Sequence, residues 1–255
     1  MADLVDDADG SPELLRACRH YVQRIENDND PCSETNGEYR FLTDILPFCR
    51  TVFDVGACAG NWADKALEIN PAAVLHCFEP IPAAQMALFG KVGGRAIINA
   101  FALGRENGEA AFFSSAADFE ISSRFKRPSF ASADLRQDIL PVVSLSHYCR
   151  QHGVDHIDLL KIDVEGAEVD VLEGGIDLFR QGRIMAAQFE YGGTWLDSRR
   201  QLRDVFYLMA GTDYVLAKLM PSGYRVIPDY NASLENFCYS NWLLLQRELA
   251  DAGAL

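Results

Sequence analysis

Short runs of hydrophobic residues alternate along the chain with segments whose apolar positions recur at helical spacing. Four of the runs have few polar positions, as parallel strands covered on both faces require. They are 52–55, Val74–Phe78, Ile157–Ile162 and 184–189. The first run is followed by a segment in which Trp62, Ala66 and Ile69 repeat at helical spacing. This alternation predicts an α/β fold built on a mostly parallel sheet.

Three further runs complete the predicted sheet. Residues 95–101 predict a third strand after Val74–Phe78. Residues 214–218 and 239–245 predict two strands that pair as an antiparallel hairpin near the end of the chain.

The N-terminal part of the chain predicts a helix and a loop. Ser11-Pro12-Glu13 is a helix start, and the residues after it carry one apolar stripe. The stripe consists of Leu14, Leu15, Cys18, Val22 and Ile25. Asn, Asp, Pro, Ser and Gly dominate residues 27–37, as in loops. We therefore predict an extension over 1–37, which packs on the rest of the chain or on a second subunit in a homodimer, and one domain over 38–255.

Composition limits the partners of the chain. Of its 255 residues, 49% are hydrophobic, which is enough for one large core. Its formal net charge is −14 and it shows no basic stripe, whereas nucleic acid is bound by clustered Lys and Arg. We therefore expect no nucleic-acid partner.

Cysteine usage and hydropathy predict a cytoplasmic protein. The seven cysteines include no Cys-x-x-Cys spacing, which argues against a disulfide framework and a zinc ribbon. The first ten residues are acidic and have no apolar signal core, and no apolar run approaches the length of a membrane span. We expect reduced thiols and no contact with a membrane.

A glycine turn with an acid before it follows the first strand. Asp54 lies at the end of the strand, and Gly56 and Gly60 bracket a turn that a ligand can approach closely. The spacing is not the dinucleotide fingerprint, and a carboxylate at Asp54 would repel a pyrophosphate. The turn suits a ligand with a cationic or hydroxyl-rich part, such as S-adenosylmethionine. The alternative is a turn with a structural role alone.

A second carboxylate follows the second strand. Glu79 lies about twenty residues after the turn, the offset at which an acid meets ribose hydroxyls in nucleotide-binding α/β folds. A carboxylate there can accept two O–H bonds. The alternative is a solvated acid at a strand end.

Two later strands also end in acids. Asp163 and Glu165 follow Ile157–Ile162, and Glu190 follows the run 184–189. Because the carboxyl ends of parallel strands lie at one edge of a sheet, we expect these acids to converge near Glu79.

Two long segments between the motifs are candidates for acceptor binding. The first is an insertion over 104–141, in which 109–113 and 139–145 predict strands. Its alternative is a mobile surface loop. The second is 220–237, with its aromatic residues.

Four motifs together resemble the FkbM-type S-adenosylmethionine-dependent methyltransferases. They are Asp54-Val-Gly-Ala-Cys-Ala-Gly-Asn61, Phe78-Glu79-Pro80, Asn99-Ala-Phe-Ala-Leu-Gly104 and Lys161-Ile-Asp-Val-Glu-Gly-Ala-Glu168. The resemblance covers residues 40 to 247. It implies a class I methyltransferase Rossmann-like sheet of seven strands with helices on both faces. It also implies S-adenosylmethionine as the cofactor and O-methylation of a sugar, glycan or natural-product acceptor.

The resemblance also assigns residues to the cofactor. They are Asp54, Gly56, Ala57, Gly60, Asn61, Glu79, Pro80, Asn99 and Asp163. Asn99 would lie beside the adenine. The family usually has an aspartate in the segment that here reads Val-Val-Ser-Leu-Ser-His over 142–147, so the role of Ser146 or His147 stays open.

Methylation of a hydroxyl requires a group that removes its proton. Asp163 and Glu190 are the candidates for this general base, with Glu165 and His147 in reserve. Asp163 could instead hold the cofactor or cap the following helix. Asp163 and Glu190 could also bind a divalent metal such as Mg²⁺ that lowers the pKa of the acceptor hydroxyl.

Two other functions remain open at this point. The first is an NAD-dependent oxidoreductase on a similar sheet, which the missing third glycine and Asp54 disfavour. The second is a non-catalytic partner protein that keeps the fold, against which the acids at Asp163 and Glu190 argue.

Overall fold

The fold is taken from a computed structural model that describes residues 11–115, 122–126 and 135–252. Residues 1–10 of the predicted extension lie outside the described residues, as do 116–121 and 127–134 of the predicted insertion and 253–255 at the C-terminus.

The described strands fall into two sheets. In chain order they are β1 (Thr51–Val55), β2 (Val74–Phe78), β3 (Ile97–Asn99), β4 (Ala102–Gly104), β5 (Gly108–Ser115), β6 (Leu135–Ser144), β7 (Ile157–Ile162), β8 (Ile184–Tyr191), β9 (Tyr214–Met220), β10 (Gly223–Ile227) and β11 (Ser240–Gln246).

Helices connect most of these strands. They are α1 (Pro12–Glu26), α2 (Glu38–Ile45), α3 (Asn61–Ile69), α4 (Pro82–Val92), α5 (Leu145–His152), α6 (Glu168–Gly174), α7 (Ile176–Arg180), α8 (Thr194–Ser198), α9 (Leu202–Met209) and α10 (Arg247–Asp251). Short 3-10 turns occupy Leu46–Phe48 and Ala232–Leu234.

The large sheet has the strand order β10-β9-β11-β8-β7-β1-β2-β3. Strands β3, β2, β1, β7 and β8 run parallel, whereas β11 is antiparallel to β8 and β9. The predicted α/β fold with a mostly parallel sheet and an antiparallel C-terminal pair is therefore confirmed. The eighth strand is β10, in the segment that we expected to bind the acceptor. It is a half-exposed edge strand, so its sequence has no buried apolar run.

The insertion begins and ends in the small sheet, whose order is β4-β6-β5. Strand β5 pairs antiparallel with β6 from Gly108 to Ser115, and β4 pairs parallel with β6. Strands β5 and β6 are both longer than the strands that the sequence predicts at 109–113 and 139–145.

Strand β1 lies in the middle of the core. Phe53 and Val55 pack with Phe78, Leu160 and Ile162 on one face of the sheet. Val52 packs with Leu75 and Leu159 on the other. Successive side chains of a strand point to opposite faces, so apolar residues at both alternate sets of positions suit a strand covered on both sides.

Hydrogen bonds and an ion pair connect the loop before α2 to the sheet. The Asn27 side chain donates hydrogen bonds to the carbonyls of Asn36 and Leu219, at 2.7 and 3.0 Å. Asp28 and Lys218 form a buried ion pair. Glu38, the first residue of α2, is buried, and its carboxylate accepts a hydrogen bond from the Gln188 side chain of β8 at 2.7 Å. Among the described residues, none of the helices combines the length and the apolar character that a membrane span requires.

Candidate active site

A cavity of about 280 Å³ lies at the carboxyl ends of β1, β2, β7 and β8. Four groups of residues line it: the turn after β1, the end of β2, the loop after β7 with Glu190, and part of the insertion. They are Val55, Gly56, Ala57, Cys58, Ala59, Asn61, Trp62, Phe78, Glu79, Pro80, Ala102, Leu103, Phe112, Ser122, Arg124, Lys161, Asp163, Val164, Glu165, Ala167 and Glu190.

The glycine turn forms one wall of this cavity. The backbone N–H groups of Gly56 and Ala57 both donate to the Phe78 carbonyl, at 2.9 and 3.1 Å. Gly56 has a φ of 82°, and a Cβ at this position would lie 1.8 Å from the Asp163 carbonyl oxygen. A glycine is therefore required here for two reasons, namely the left-handed backbone and the close approach of the loop after β7.

Glu79 joins the end of β2 to the turn. One carboxylate oxygen accepts a hydrogen bond from the Cys58 N–H at 2.9 Å, and the other accepts one from the Ile81 N–H at 2.7 Å. Burial raises the pKa of Glu79 to about 7. Each carboxylate oxygen has a second lone pair, so Glu79 can still accept a ligand hydroxyl at the cavity wall.

The loop after β7 is held in shape by Glu168. Its carboxylate accepts hydrogen bonds from the backbone N–H groups of Val164 and Gly166, at 3.0 to 3.2 Å. Glu165 and Gly166 have positive φ values, 58° and 103°. Burial raises the pKa of Glu168 to about 8. The tight loop fixes the position of Asp163, whose N–H donates to the Val55 carbonyl at 2.9 Å.

Lys161 lies beside these acids as a buried cation. Its Nζ is 2.9 Å from Asp163 Oδ2 and 5.8 Å from the centre of the Trp62 ring. Burial acts to lower the pKa of Lys161, but the charges of Asp163, Asp54 and Glu38 outweigh burial and raise it. Lys161 is therefore charged throughout the physiological pH range.

Asp163 and Glu190 form a hydrogen-bonded carboxyl pair in the cavity wall. Burial acts to raise the pKa of Asp163, but the charge and hydrogen bond of Lys161 outweigh it, and the pKa is lowered. Burial, followed by the charge of Asp163, raises the pKa of Glu190 well above its usual value. The proton that the pair shares therefore lies on Glu190, and Asp163 is the ionised member.

Most of the predicted site residues line the cavity. They are Gly56, Ala57, Asn61, Glu79, Pro80, Asp163, Glu165 and Glu190. Within the described ranges, four predicted residues do not line it: Asp54, Gly60, Asn99 and His147.

Each of these four residues has another position in the fold. Asp54 is fully buried, and burial raises its pKa to about 6. Gly60 precedes α3, and a Cβ there would lie 2.8 Å from Leu88 Cδ1. The Asn99 amide donates to the Cys77 carbonyl at 3.1 Å. His147 lies in the first turn of α5, where its backbone N–H donates to Ser144 Oγ, which caps this helix.

Sequence reasoning did not assign several residues of the wall. Trp62, Phe78, Ala102, Leu103 and Phe112 are apolar, and an apolar residue beside a cavity has the same sequence pattern as one in the core. Lys161 did have a signal, because a lysine in an otherwise apolar strand needs a buried partner.

A metal site stays a prediction. Among the described residues, no group of three or more His, Cys, Asp or Glu side chains is arranged to hold a metal ion.

Comparison with known proteins points to one family. Residues 54–216 match the family described as Methyltransferase FkbM domain. The 2-O-methyltransferase NoeI of Sinorhizobium fredii is 28% identical over 151 residues, which cover 54% of this chain and 62% of the relative. The match thus spans less than two thirds of the length of that relative.

The solved structures that match this chain are more distant in sequence. The plantazolicin methyltransferase BpumL in complex with SAH has a TM-score of 0.44 and 11% identity, with 93% of this chain and 92% of that chain covered. Cofactor-bound Rv0187 from MTB has a TM-score of 0.45 and 12% identity, with 96% and 95% covered.

Substitution of Gly56 tests the contact between the turn and the loop after β7. We expect Gly56→Ala to lower the free energy of unfolding by several kcal/mol, since it combines a strained backbone with a steric clash. The matched control is Gly211→Ala. Gly211 has a φ of 80°, and a Cβ there would have no atom within 4 Å. The Gly211→Ala variant should therefore lose only about 1 kcal/mol of the free energy of unfolding, which is the cost of backbone strain alone. Equal losses for the two variants in urea denaturation would contradict the proposed clash.

The raised carboxyl pKa values predict how stability depends on pH. Burial raises the pKa values of Asp54, Glu79 and Glu168 to about 6, 7 and 8, above their usual values of 3.8, 4.5 and 4.5. The stability that these carboxyls contribute in their protonated form is complete below their pKa values in the unfolded chain. It is lost as the pH rises through their pKa values in the folded protein. We therefore expect the free energy of unfolding to fall between pH 5 and 8, by at most about 1.4 kcal/mol per pH unit for each group.

Glu168→Gln should make the fall of the free energy of unfolding with pH less steep, because it removes one of the three titrating carboxyls. The exposed Glu248→Gln serves as the control and should leave the slope unchanged. Chemical denaturation at a series of pH values measures both, and an unaltered slope in Glu168→Gln would refute the assignment.

Proposed function

The chain belongs to the methyltransferase FkbM domain family, and from this premise we propose that it transfers the methyl group of S-adenosylmethionine to a hydroxyl oxygen. The acceptor is a sugar, a glycan or another natural product. One observation carries the proposal: a single cavity is lined by the glycine turn with Glu79 and also by the hydrogen-bonded carboxyls of Asp163 and Glu190. The name of the 2-O-methyltransferase relative supports oxygen as the acceptor atom.

The cofactor would occupy the part of the cavity near β1 and β2. Glu79 offers carboxylate oxygens to ribose hydroxyls, and Phe78, Ala102 and Leu103 provide an apolar wall for an adenine. The turn at Gly56 allows a ligand to approach the backbone closely. Asp54 does not line the cavity, so it would attract the positively charged cofactor through its charge rather than by direct contact.

The carboxyl pair supplies the proton acceptor. S-adenosylmethionine provides an electrophilic methyl group on a sulfonium, but the acceptor hydroxyl must still lose its proton. A general base within hydrogen-bond reach accelerates such a step by roughly 10²–10⁴-fold. Glu190 is the member of the pair whose pKa is raised, so its ionised form is the stronger base. Asp163 raises that pKa through its charge, and the two groups titrate as a unit.

Lys161 determines which member of the pair carries the proton. Its Nζ binds Asp163, so the negative charge is stabilised there, and Glu190 is left as the group that gains and loses a proton. Lys161 also offsets the repulsion between Asp163 and Asp54, since its positive charge attracts both of these carboxylates.

The acceptor would enter from the side of the insertion. Ser123 Oγ donates to the Glu165 carbonyl at 2.8 Å and bridges the insertion to the loop after β7. Arg124 lines the first cavity and also a second one of about 530 Å³. Asn107, Glu109 and Ser198 also line the second cavity. Such hydrogen-bonding side chains suit the remaining hydroxyls of a sugar.

Binding and turnover test this function. We expect S-adenosylmethionine to bind in isothermal titration calorimetry, and methylated products to appear by mass spectrometry in a panel of sugars and glycosides. Absence of binding would refute the proposal, and binding of NADH instead would favour the oxidoreductase. Cofactor binding without any methylated product would favour the non-catalytic protein.

Substitutions test the carboxyl pair. Asp163→Asn and Glu190→Gln should lower kcat by about 10²–10⁴-fold with a smaller effect on cofactor affinity. In the wild type, kcat/KM should rise with pH as Glu190 ionises. Asp163→Asn should move that rise to lower pH, because the charge that raises the pKa of Glu190 is gone, and Glu190→Gln should abolish it.

The control for these variants is His147→Gln, outside the cavity, which should leave kcat and the pH profile unchanged. Equal losses of cofactor affinity and turnover in both carboxyl variants would make the pair a cofactor ligand instead.

A further inference from the structure

The cavity at the sheet edge is small for the two ligands that the proposed function requires. Its volume of about 280 Å³ lies just below the range of roughly 300–1,000 Å³ that is typical of a site for one small molecule. The cofactor would fill most of this space. Only the part of the acceptor that carries the reacting hydroxyl can therefore lie inside, and the rest of the acceptor needs a neighbouring site.

The second cavity, of about 530 Å³, continues from the first along β5. Ala110 and Phe112 are two residues apart on this strand, so their side chains point to the same face, about 7 Å from each other. Phe112 lines the first cavity and Ala110 lines the second. Arg124 lines both cavities. A ligand that begins beside Glu190 can therefore extend past Arg124 into the second cavity.

The side chains that line the second cavity are mostly polar, and ion pairs hold several of them in place. Asp170 accepts hydrogen bonds from Arg124 at 2.8 Å and from Arg200 at 2.6 Å. Glu173 accepts one from Arg200 at 2.9 Å and pairs with Arg105. A guanidinium has more N–H donors than these pairs use, so donors in fixed positions are left for a ligand. Small-molecule sites are usually more apolar than this one, so its lining suits a ligand with many hydroxyls.

Neutral side chains add both donors and acceptors to the lining. Asn107 Oδ1 accepts a hydrogen bond from the Ser144 N–H at 2.8 Å, which leaves the NH₂ group of this amide as a donor. Ser198 Oγ donates to the Trp195 carbonyl at 3.0 Å, so its lone pairs can still accept. Phe125 contributes an aromatic surface.

Charge gives no preference for an ionic ligand in the second cavity. Positive and negative side chains are equal in number in its lining. They are Arg105, Arg124, Arg200, Glu106, Glu109 and Asp170. An anion would meet the carboxylates and a cation would meet the guanidinium groups, whereas a neutral ligand with many hydroxyls can bind to both.

We propose that the second cavity binds a second sugar ring of the acceptor. This inference rests on the proposed O-methylation and narrows its acceptor to a glycan or glycoside of at least two neutral rings. The ring that is methylated lies in the first cavity. A sugar ring has hydroxyls around its edge and C–H groups on its faces, so Arg124 and Asn107 bind the edge and Phe125 packs against a face. A monosaccharide makes none of the contacts of the second cavity.

Binding without turnover tests the second cavity directly. Saturation-transfer NMR of the full chain with S-adenosylhomocysteine compares cellobiose, lactose and chitobiose with glucose, galactose and N-acetylglucosamine. We expect at least one disaccharide to bind about tenfold more tightly than its component sugars, since a few added hydrogen bonds supply that difference. Equal affinities, no binding of any disaccharide, or a preference for glucuronic acid or glucose 6-phosphate would overturn the proposal. No methyl transfer is measured, so this outcome is separate from a failure of the proposed function.

A substitution at Asn107 tests the polar side of the site. Asn107→Asp keeps the oxygen that binds the Ser144 N–H but removes the donor, so disaccharide affinity should fall by about 3–10-fold and monosaccharide affinity should not change. The matched control is Asn231→Asp, outside both linings, where the Oδ1 atom likewise accepts a backbone N–H, from Ser233. An equal loss in the two variants would contradict the site.

A substitution at Phe125 tests the apolar side. Phe125→Ala should weaken disaccharide binding by about tenfold. The control Phe48→Ala, at a phenylalanine that is 75% exposed, should have no effect. With an acceptor that is turned over, Phe125→Ala should raise KM for the disaccharide and leave kcat and the KM of the monosaccharide unchanged. Equal losses for both sugars would show a structural role for Phe125 and overturn the assignment.

Discussion

A buried lysine holds together the acidic edge of this sheet. Strand β7 places Lys161 beside Asp54 on one neighbouring strand and Gln188 on the other. Asp54 is fully buried and the Asp163 side chain is 35% exposed, so the two carboxylates repel each other and lose part of their hydration, and a cation between them offsets part of both costs. The raised pKa of Lys161 shows that this attraction outweighs the cost of burying the lysine itself. The catalytic proposal depends on this ion pair, because without it Asp163 would have no reason to stay ionised.

The same contact makes two similar carboxyls chemically different. Asp163 is bound by Lys161 and Glu190 is not, so the first is stabilised as an anion and the second as an acid. Environment rather than residue type thus assigns their roles. The turn at Gly56 contributes by letting the loop after β7 approach β1, so that Asp163 reaches the cavity.

The sequence predicted the strand-end carboxylates well, because apolar runs identify buried strands and parallel strands share one ligand-binding edge. The sequence does not distinguish a residue just inside this edge from one just beyond it, and Asp54, which the resemblance assigns to the cofactor, lies fully buried behind the cavity. Asn99 and His147 do not line the cavity either, because the Asn99 amide donates a hydrogen bond to the Cys77 carbonyl and His147 lies in the first turn of α5. Strand β10 and the apolar wall at Ala102 and Leu103 depend on tertiary contacts that leave no periodic pattern.

The acidity of the site has opposite consequences for binding and for catalysis. Burial and mutual repulsion raise the pKa values of Asp54, Glu79, Glu168 and Glu190, so a ligand with positive charge would relieve unfavourable electrostatics here. A sulfonium has such a charge, but it loses that charge as the methyl group leaves. Attraction to the acids is therefore weaker in the transition state than in the bound ground state, and it cannot accelerate the reaction. Under the proposed function, the acceleration would therefore come from positioning of the acceptor and from proton removal by Glu190.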